Sequence, residues 1–236
     1  MNNSMDTEVH TRHNFSNGET LACALADRVA DNLNDALAKR GEAVLALSGG
    51  STPQRFMSEL SRRDVDWPKV TLTLVDERWV PPAHERSNEK LVRDFLMKGG
   101  AAKARFVSLY CDTETPDLGQ QRISASLPPV IDVAVLGLGL DGHTASFFPD
   151  GDNLAAATDP DTPQSVISMR ASGAGEPRMT LTLSKLMTSG VLYLHIEGQQ
   201  KADVLSKAYE DGPIRDLPIR SILHQHQCLL EIFWAP

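Results

Sequence analysis

Short, nearly uninterrupted apolar runs recur along this chain, and most are followed by a stretch with helix periodicity. Residues 43–47 read Ala-Val-Leu-Ala-Leu, and 130–136 read Val-Ile-Asp-Val-Ala-Val-Leu. Runs of this length, without steady polar alternation, suit strands buried on both faces. Between them, 19–40 places Leu21, Leu25, Val29, Leu33 and Leu37 four apart, with Gly41 as a stop, which predicts an amphipathic helix. Further strands are expected at 70–75, 106–109, 165–169, 191–196 and 228–233. Helices are expected at 53–60, 88–96, 117–127 and 199–208, the first with Pro53 in its first turn and Ser51 or Thr52 as cap. Alternation of this kind predicts an α/β fold built from βαβ units. The expected architecture is Rossmann-like: a mostly parallel sheet with helices on both faces, in three α/β/α layers.

The chain has 236 residues, 41% of them hydrophobic, which suffices for one large core. We expect residues 1–18 to be a loose tail and 19–236 a single domain. The formal charge of −8, with no Lys/Arg cluster, argues against nucleic-acid and anionic-membrane partners. No apolar run is long enough to span a membrane, and residues 1–18 lack the apolar core of a signal peptide. Three scattered cysteines (Cys23, Cys111 and Cys228) lack metal spacing and read as reduced thiols. A cytoplasmic chain, a monomer or weak homodimer, is the expectation.

In an open parallel sheet, ligands bind at the carboxyl ends of strands. The loops expected there carry unusual residues. Gly137-Leu138-Gly139-Leu140-Asp141-Gly142-His143-Thr144-Ala145-Ser146 follows the strand at 130–136. Its glycines satisfy G-x-G-x-x-G, but Pro149 limits any helix begun there to about one turn, so a dinucleotide site does not fit. A structural turn needs the glycines yet has no need of Asp141 and His143, so the segment reads as an active-site loop. Ser48-Gly49-Gly50-Ser51-Thr52-Pro53 joins a strand to a helix N-terminus, where free N–H groups, hydroxyls and the helix dipole form an anion cradle. It lacks the Gly-Lys-Ser/Thr ending of a Walker A loop. Asp76-Glu77-Arg78 directly follows an apolar strand, and the fork of Arg78 suits a phosphate or an oxyanion. Arg178 sits in a Gly-rich loop, and Lys201 opens a helix against its dipole, as a bound anion would explain. His195, inside an apolar strand, reads as a satisfied core residue.

No metal cluster and no reactive cysteine is evident, and Ser146 lacks the G-x-S-x-G elbow of a nucleophile. An imidazole can take a proton from water at neutral pH, while loop N–H groups and an arginine hold the resulting oxyanion. The chemistry that fits is hydrolysis, or proton-transfer isomerisation, of a small phosphorylated sugar derivative.

Ser48–Pro53, Asp76-Glu-Arg-Trp-Val-Pro-Pro82 with Ser87-Asn88-Glu89, Gly139–Ser146, Arg178-Met-Thr-Leu-Thr-Leu183, Gly198-Gln-Gln-Lys201 and the ending Glu231-Ile-Phe-Trp-Ala-Pro236 occur in one order. From about residue 20 onward they resemble the 6-phosphogluconolactonase family. The resemblance implies hydrolysis of 6-phospho-D-glucono-1,5-lactone in the oxidative pentose phosphate pathway, with no metal or other cofactor and a sugar-phosphate lactone as partner. It implies His143 as general base beside Asp141. It places phosphate or oxyanion on Ser48, Gly49, Gly50, Ser51, Thr52, Arg78, Arg178 and Lys201, and makes Asp76 part of the same site. Leu140 departs from the acidic residue common in that family. The related glucosamine-6-phosphate deaminases share the Asp-Gly-His loop but carry a glutamate shortly after it. Here Ser146-Phe147-Phe148-Pro149 stands there, and two phenylalanines cannot relay protons. A noncatalytic sugar-phosphate sensor is the other alternative, although binding alone has no use for His143.

Overall fold

The apolar runs do become strands buried on both faces in the computed structural model, which describes residues 10–236. In chain order the strands are β1 (His10–Asn14), β2 (Ala43–Leu47), β3 (Val70–Leu74), β4 (Asp76–Arg78) and β5 (Arg105–Phe106). They continue with β6 (Val133–Leu136), β7 (Val166–Met169), β8 (Arg178–Leu181), β9 (Val191–Glu197) and β10 (Leu229–Ala235). The helices are α1 (Gly18–Arg40), α2 (Pro53–Leu60), α3 (Asn88–Phe95), α4 (Pro116–Ser126), α5 (Leu154–Ala157), α6 (Leu183–Leu186), α7 (Gln199–Ala208) and α8 (Arg220–Leu223).

Seven strands form one parallel sheet in the order β1-β10-β9-β6-β2-β3-β5. Along β9, Leu192, Tyr193, Leu194, His195 and Ile196 are all buried, so both faces of the sheet are covered. α1 covers one of them. It starts where the Asn17 side chain accepts from the N–H groups of Glu19 (3.0 Å) and Thr20 (2.9 Å). It stops at Gly41, whose φ of 78° closes the helix on the Leu37 carbonyl. Its Leu21, Leu25, Val29 and Leu33 are fully buried in the core.

After β2, the chain moves outward to β3 and β5, then returns to lay β6 on the other side of β2, followed by β9 and β10. The point of reversal lies between β2 and β6, where a crevice opens at the carboxyl ends of the strands. The loops after β2 and β6 border it directly, and those after β3 and β9 flank them.

Three expectations are corrected. Of the tail expected at 1–18, residues 1–9 lie outside the described residues, while His10–Asn14 is a strand parallel to β10. There His13 Nε2 lies 2.8 Å from Glu231 Oε2. An edge strand needs no apolar run, because its ladder bonds come from the neighbouring strand. The expected strand at 165–169 forms, but it joins β8 and β4 in a second, antiparallel sheet. Arg178 is therefore buried in a strand, where a loop was expected. The strand at 106–109 shrinks to Arg105–Phe106 at the opposite sheet edge.

The far end of the sheet, away from the crevice, is fastened by Asp132. Its Oδ2 accepts from the Val44 N–H (2.7 Å) and from Arg40 Nη2 (2.6 Å), tying β6 to β2 and to the end of α1. Asp132→Ala would strand the buried Val44 N–H, at a cost of about 1–3 kcal/mol. The expected result is a lower denaturant midpoint with kcat unchanged; a lowered kcat would show that the fastening also shapes the crevice.

Candidate active site

Glu77 organises the wall after β3. Its carboxylate accepts from the N–H groups of Arg78 (2.7 Å), Asn88 (2.8 Å) and Glu89 (2.8 Å) and from the Ser87 hydroxyl (2.9 Å). Burial pushes this carboxyl upward, and the four donors oppose that push. The α3 N-terminus is thus fixed against β4. Asn88, the first residue of α3, then donates from Nδ2 to the Asp76 carbonyl (2.9 Å). Its side chain lies where a Cβ at residue 49 would be, so Gly49 is required for the cradle to approach this closely.

The cradle itself is Ser48 to Thr52, ahead of α2. Thr52 occupies the cap position, yet its side chain makes no capping bond. Its hydroxyl instead accepts from Lys201 Nζ at 3.3 Å. Lys201 stands in the first turn of α7, and burial holds its ammonium below the usual lysine range.

On the other side of the reversal point, Asp141 grips His143 twice. Its Oδ1 lies 2.5 Å from Nδ1 and accepts the His143 N–H at 3.1 Å. Burial alone would raise the Asp141 carboxyl, but the hydrogen bond and charge of His143 hold it below its ordinary value. A carboxylate on Nδ1 selects the tautomer that leaves Nε2 with its lone pair. Gly139 is required here, since a Cβ would meet the His143 ring. Phe148 packs on that ring with centroids 4.6 Å apart, and the Arg178 guanidinium lies 5.5 Å from the Phe148 centroid.

Arg178 is 6% exposed and donates from Nη2 to the Ala174 carbonyl (2.6 Å). Burial holds it below the usual arginine range, while Asp76, with Oδ2 3.7 Å from Nη1, opposes that shift. The same Asp76 oxygen accepts from the Ser146 hydroxyl at 2.6 Å. Arg78 donates from Nη1 to the Arg86 carbonyl (2.6 Å). Both Arg78 Nε and Arg178 Nε are buried without a protein partner.

One cavity of about 310 Å³ brings these groups together. Ser48, Gly49, Gly50, Ser51, Thr52, Asp76, Arg78, His143, Arg178 and Lys201 all line it. Asp141 stands behind His143, outside the lining. Sequence reasoning missed three contributors to the wall. Asn88 fills the space left by Gly49, Phe148 supports the His143 ring, and His195 closes the floor with its Nδ1 unpartnered, so it is not the satisfied core histidine expected. Glu77, in sequence only one charge of a cluster, proves to be the anchor of a whole wall.

Glu77→Gln would turn two of the carboxylate's acceptor sites into a donor facing N–H groups. We expect a stability loss of about 1–3 kcal/mol and a lowered kcat/KM, because the Arg78 backbone loses its anchor. A variant that melts lower but keeps full kcat/KM would limit Glu77 to a structural role.

Comparison with known proteins places this geometry in context. Residues 16–234 match the family model described as glucosamine-6-phosphate isomerases/6-phosphogluconolactonase. A 6-phosphogluconolactonase of Rhizobium meliloti (strain 1021) is 54% identical over 227 residues, covering 95% of this chain and 98% of that protein. One from Mesorhizobium japonicum is 47% identical over 225 residues, with 94% of each chain covered. The crystal structure of a 6-phosphogluconolactonase from Shewanella baltica OS155 superposes with a TM-score of 0.93 at 36% identity, covering 96% of this chain and 98% of the other.

Proposed function

The chain belongs to the glucosamine-6-phosphate isomerase/6-phosphogluconolactonase family, and within it we propose that this enzyme hydrolyses 6-phospho-D-glucono-1,5-lactone to 6-phospho-D-gluconate in the oxidative pentose phosphate pathway. One observation carries the reading. An imidazole held by a carboxylate through Nδ1 shares a cavity with a hydroxyl-rich anion cradle, a lysine and two arginines.

In this mechanism the phosphate enters the Ser48–Thr52 cradle, with Lys201 and Arg178 supplying positive charge. The lactone carbonyl then lies toward His143. Nε2 takes a proton from water, and the hydroxide formed adds to the carbonyl carbon. Arg78 and loop N–H groups hold the oxyanion. Collapse of the tetrahedral intermediate breaks the bond to the ring oxygen, which takes back the proton from His143. Asp141 stabilises the imidazolium between these steps. Residues 19–236 act as one catalytic domain in this reading, supported by a hydrophobic core that runs from Leu21 to Ala235. Among the described residues, no helix is long and apolar enough to cross a membrane.

The primary test is lactone loss above the spontaneous rate, with freshly made substrate, alongside ammonia release from glucosamine 6-phosphate. Fast hydrolysis without ammonia supports the lactonase; ammonia release would move the chain to the deaminase branch. His143→Ala should lower kcat by about 10²–10⁴ while 6-phosphogluconate still binds. An unchanged kcat would remove His143 from the role of base.

Arg178→Ala should cut kcat/KM for the phosphorylated lactone by about 10–100-fold, the loss of one hydrogen-bonded charge. Unphosphorylated gluconolactone should be affected much less. Equal losses on both substrates would take Arg178 off the phosphate.

A further inference from the structure

His195 lies two residues before the end of β9 and borders the cavity that the cradle lines, and the mechanism above makes no use of it. It is 2% exposed, with Nε2 3.1 Å from Glu197 Oε1 and Nδ1 buried without a hydrogen-bond partner. The ring borders the same cavity as the cradle residues and Lys201. The charged groups around it are Glu197 on its own strand, Lys201 on α7 and Arg55 on α2, and Phe56 of α2 presents its ring edge at 6.1 Å. Burial holds His195 below the ordinary histidine range, with Lys201 and Arg55 acting in the same direction and Glu197 against it.

These surroundings define two states of the ring. In the first, which burial favours, the ring is neutral: Nε2–H can donate to Glu197, and the Nδ1 lone pair is left without a donor. An anion seated above would repel that lone pair but would attract an N–H in its place. A phosphate dianion close to a buried ring also favours the charged imidazolium over the neutral form. Glu197 already sits on Nε2 to balance the new charge. We propose, resting on the reading of this cavity as a phosphoester site, that His195 is a further residue of the phosphate subsite. It takes a proton from solvent as the phosphate seats, and Nδ1–H then donates toward the anion.

The sign follows from linkage. Binding that takes up a proton strengthens as pH falls and weakens as pH rises, between the values at which the free and the bound ring titrate. Calorimetry of 6-phosphogluconate binding to the full chain, in phosphate-free buffers of unequal ionisation enthalpy, counts the protons directly. Wild type, His195→Asn and Glu197→Gln are compared, with unphosphorylated gluconate as the control ligand. The phosphate's own ionisation and any uptake at His143 are common to all three proteins. We expect wild type to take up more protons than His195→Asn. With rising pH, its affinity should also fall more steeply than that of His195→Asn, the difference reaching up to about tenfold per pH unit. Glu197→Gln keeps the ring but removes the balancing charge, and should lie between them.

A histidine that only packs would leave proton uptake unmoved by either substitution, and equal uptake in all three proteins overturns the proposal. Should His195→Asn fail to fold, Glu197→Gln decides alone: uptake equal to wild type is then the overturning result. Failure of wild type to prefer 6-phosphogluconate over gluconate would instead sink the phosphate reading of the cavity, and this proposal with it.

Discussion

The site depends on the reversal of strand order between β2 and β6. At that point two adjacent parallel strands send their following loops in opposite directions, and the backbone cannot close over the gap. The Ser48–Thr52 cradle lies on one side of the gap and the Gly139–His143 loop on the other. Because β2 and β6 are directly hydrogen-bonded, from Leu45↔Val133 to Leu47↔Val135, the separation between the cradle and the His143 loop is set by the sheet itself. In the proposed reaction, a substrate with an anion at one end and an electrophile at the other would be measured against a rigid spacing. The small antiparallel sheet adds the third wall, since pairing of Arg78 with Arg178 across β4 and β8 sets two cations beside the same gap.

Two of the cavity's cations, Arg178 and Lys201, are held at an electrostatic disadvantage in the protein alone. Desolvation weakens the charged forms of Arg178 and Lys201, and two guanidinium Nε atoms are buried without acceptors. Asp76 offsets part of this cost for Arg178, but it also accepts from Ser146 and lies 3.7 Å from the nearer guanidinium nitrogen. In the proposed reaction an anion in the cavity would offset this cost, so the gain would appear on binding rather than on folding. Arginine suits position 178 better than lysine, because its planar fork keeps the Ala174 carbonyl bond and still leaves further N–H groups.

Much of this was legible in the residues, and the divisions have physical causes. α7 matches its expected span, and α1 and β2 do so nearly or fully, because each carries a complete local signal: periodicity and a stop, or an apolar run between turns. β1 was invisible, since a polar edge strand such as His-Thr-Arg-His-Asn takes its order from β10 and not from its own composition. The direction of β7 was equally hidden, because an apolar stretch does not say which neighbour it will pair with. Of the site, the loops with glycines beside chemical side chains were readable. Glu77 was not, because three of its four donors, the Ser87 hydroxyl and the N–H groups of Asn88 and Glu89, come from a segment ten or more residues away, and local patterns carry no such information.

The loop from Gly139 to Phe148 explains best why sequence and chemistry coincide here. Asp141 and His143 are two positions apart, so one carboxylate oxygen can bind both the backbone N–H and Nδ1 of the histidine. The turn that permits this is pinned from outside: Gly142 sits against Leu217, and its carbonyl accepts the Ile219 N–H at 2.9 Å. Immediately after, Ala145 adopts φ 48°, a conformation that costs a residue with a Cβ on the order of 1 kcal/mol. That reversal, closed by the Phe147 N–H on the Thr144 carbonyl (2.9 Å), brings the Ser146 hydroxyl onto Asp76 and sets Phe148 under the His143 ring. Phe148 therefore has a positive role in this loop. A carboxylate there would present a second acceptor beside His143 and compete with Asp141 for its proton. An apolar ring supports the imidazole through packing alone and leaves Asp141 as the one carboxylate that sets its tautomer. Arg178 on the same ring adds a cation 5.5 Å from the Phe148 centroid. Phe148 thus stands between the imidazole and the guanidinium, and all three line one cavity.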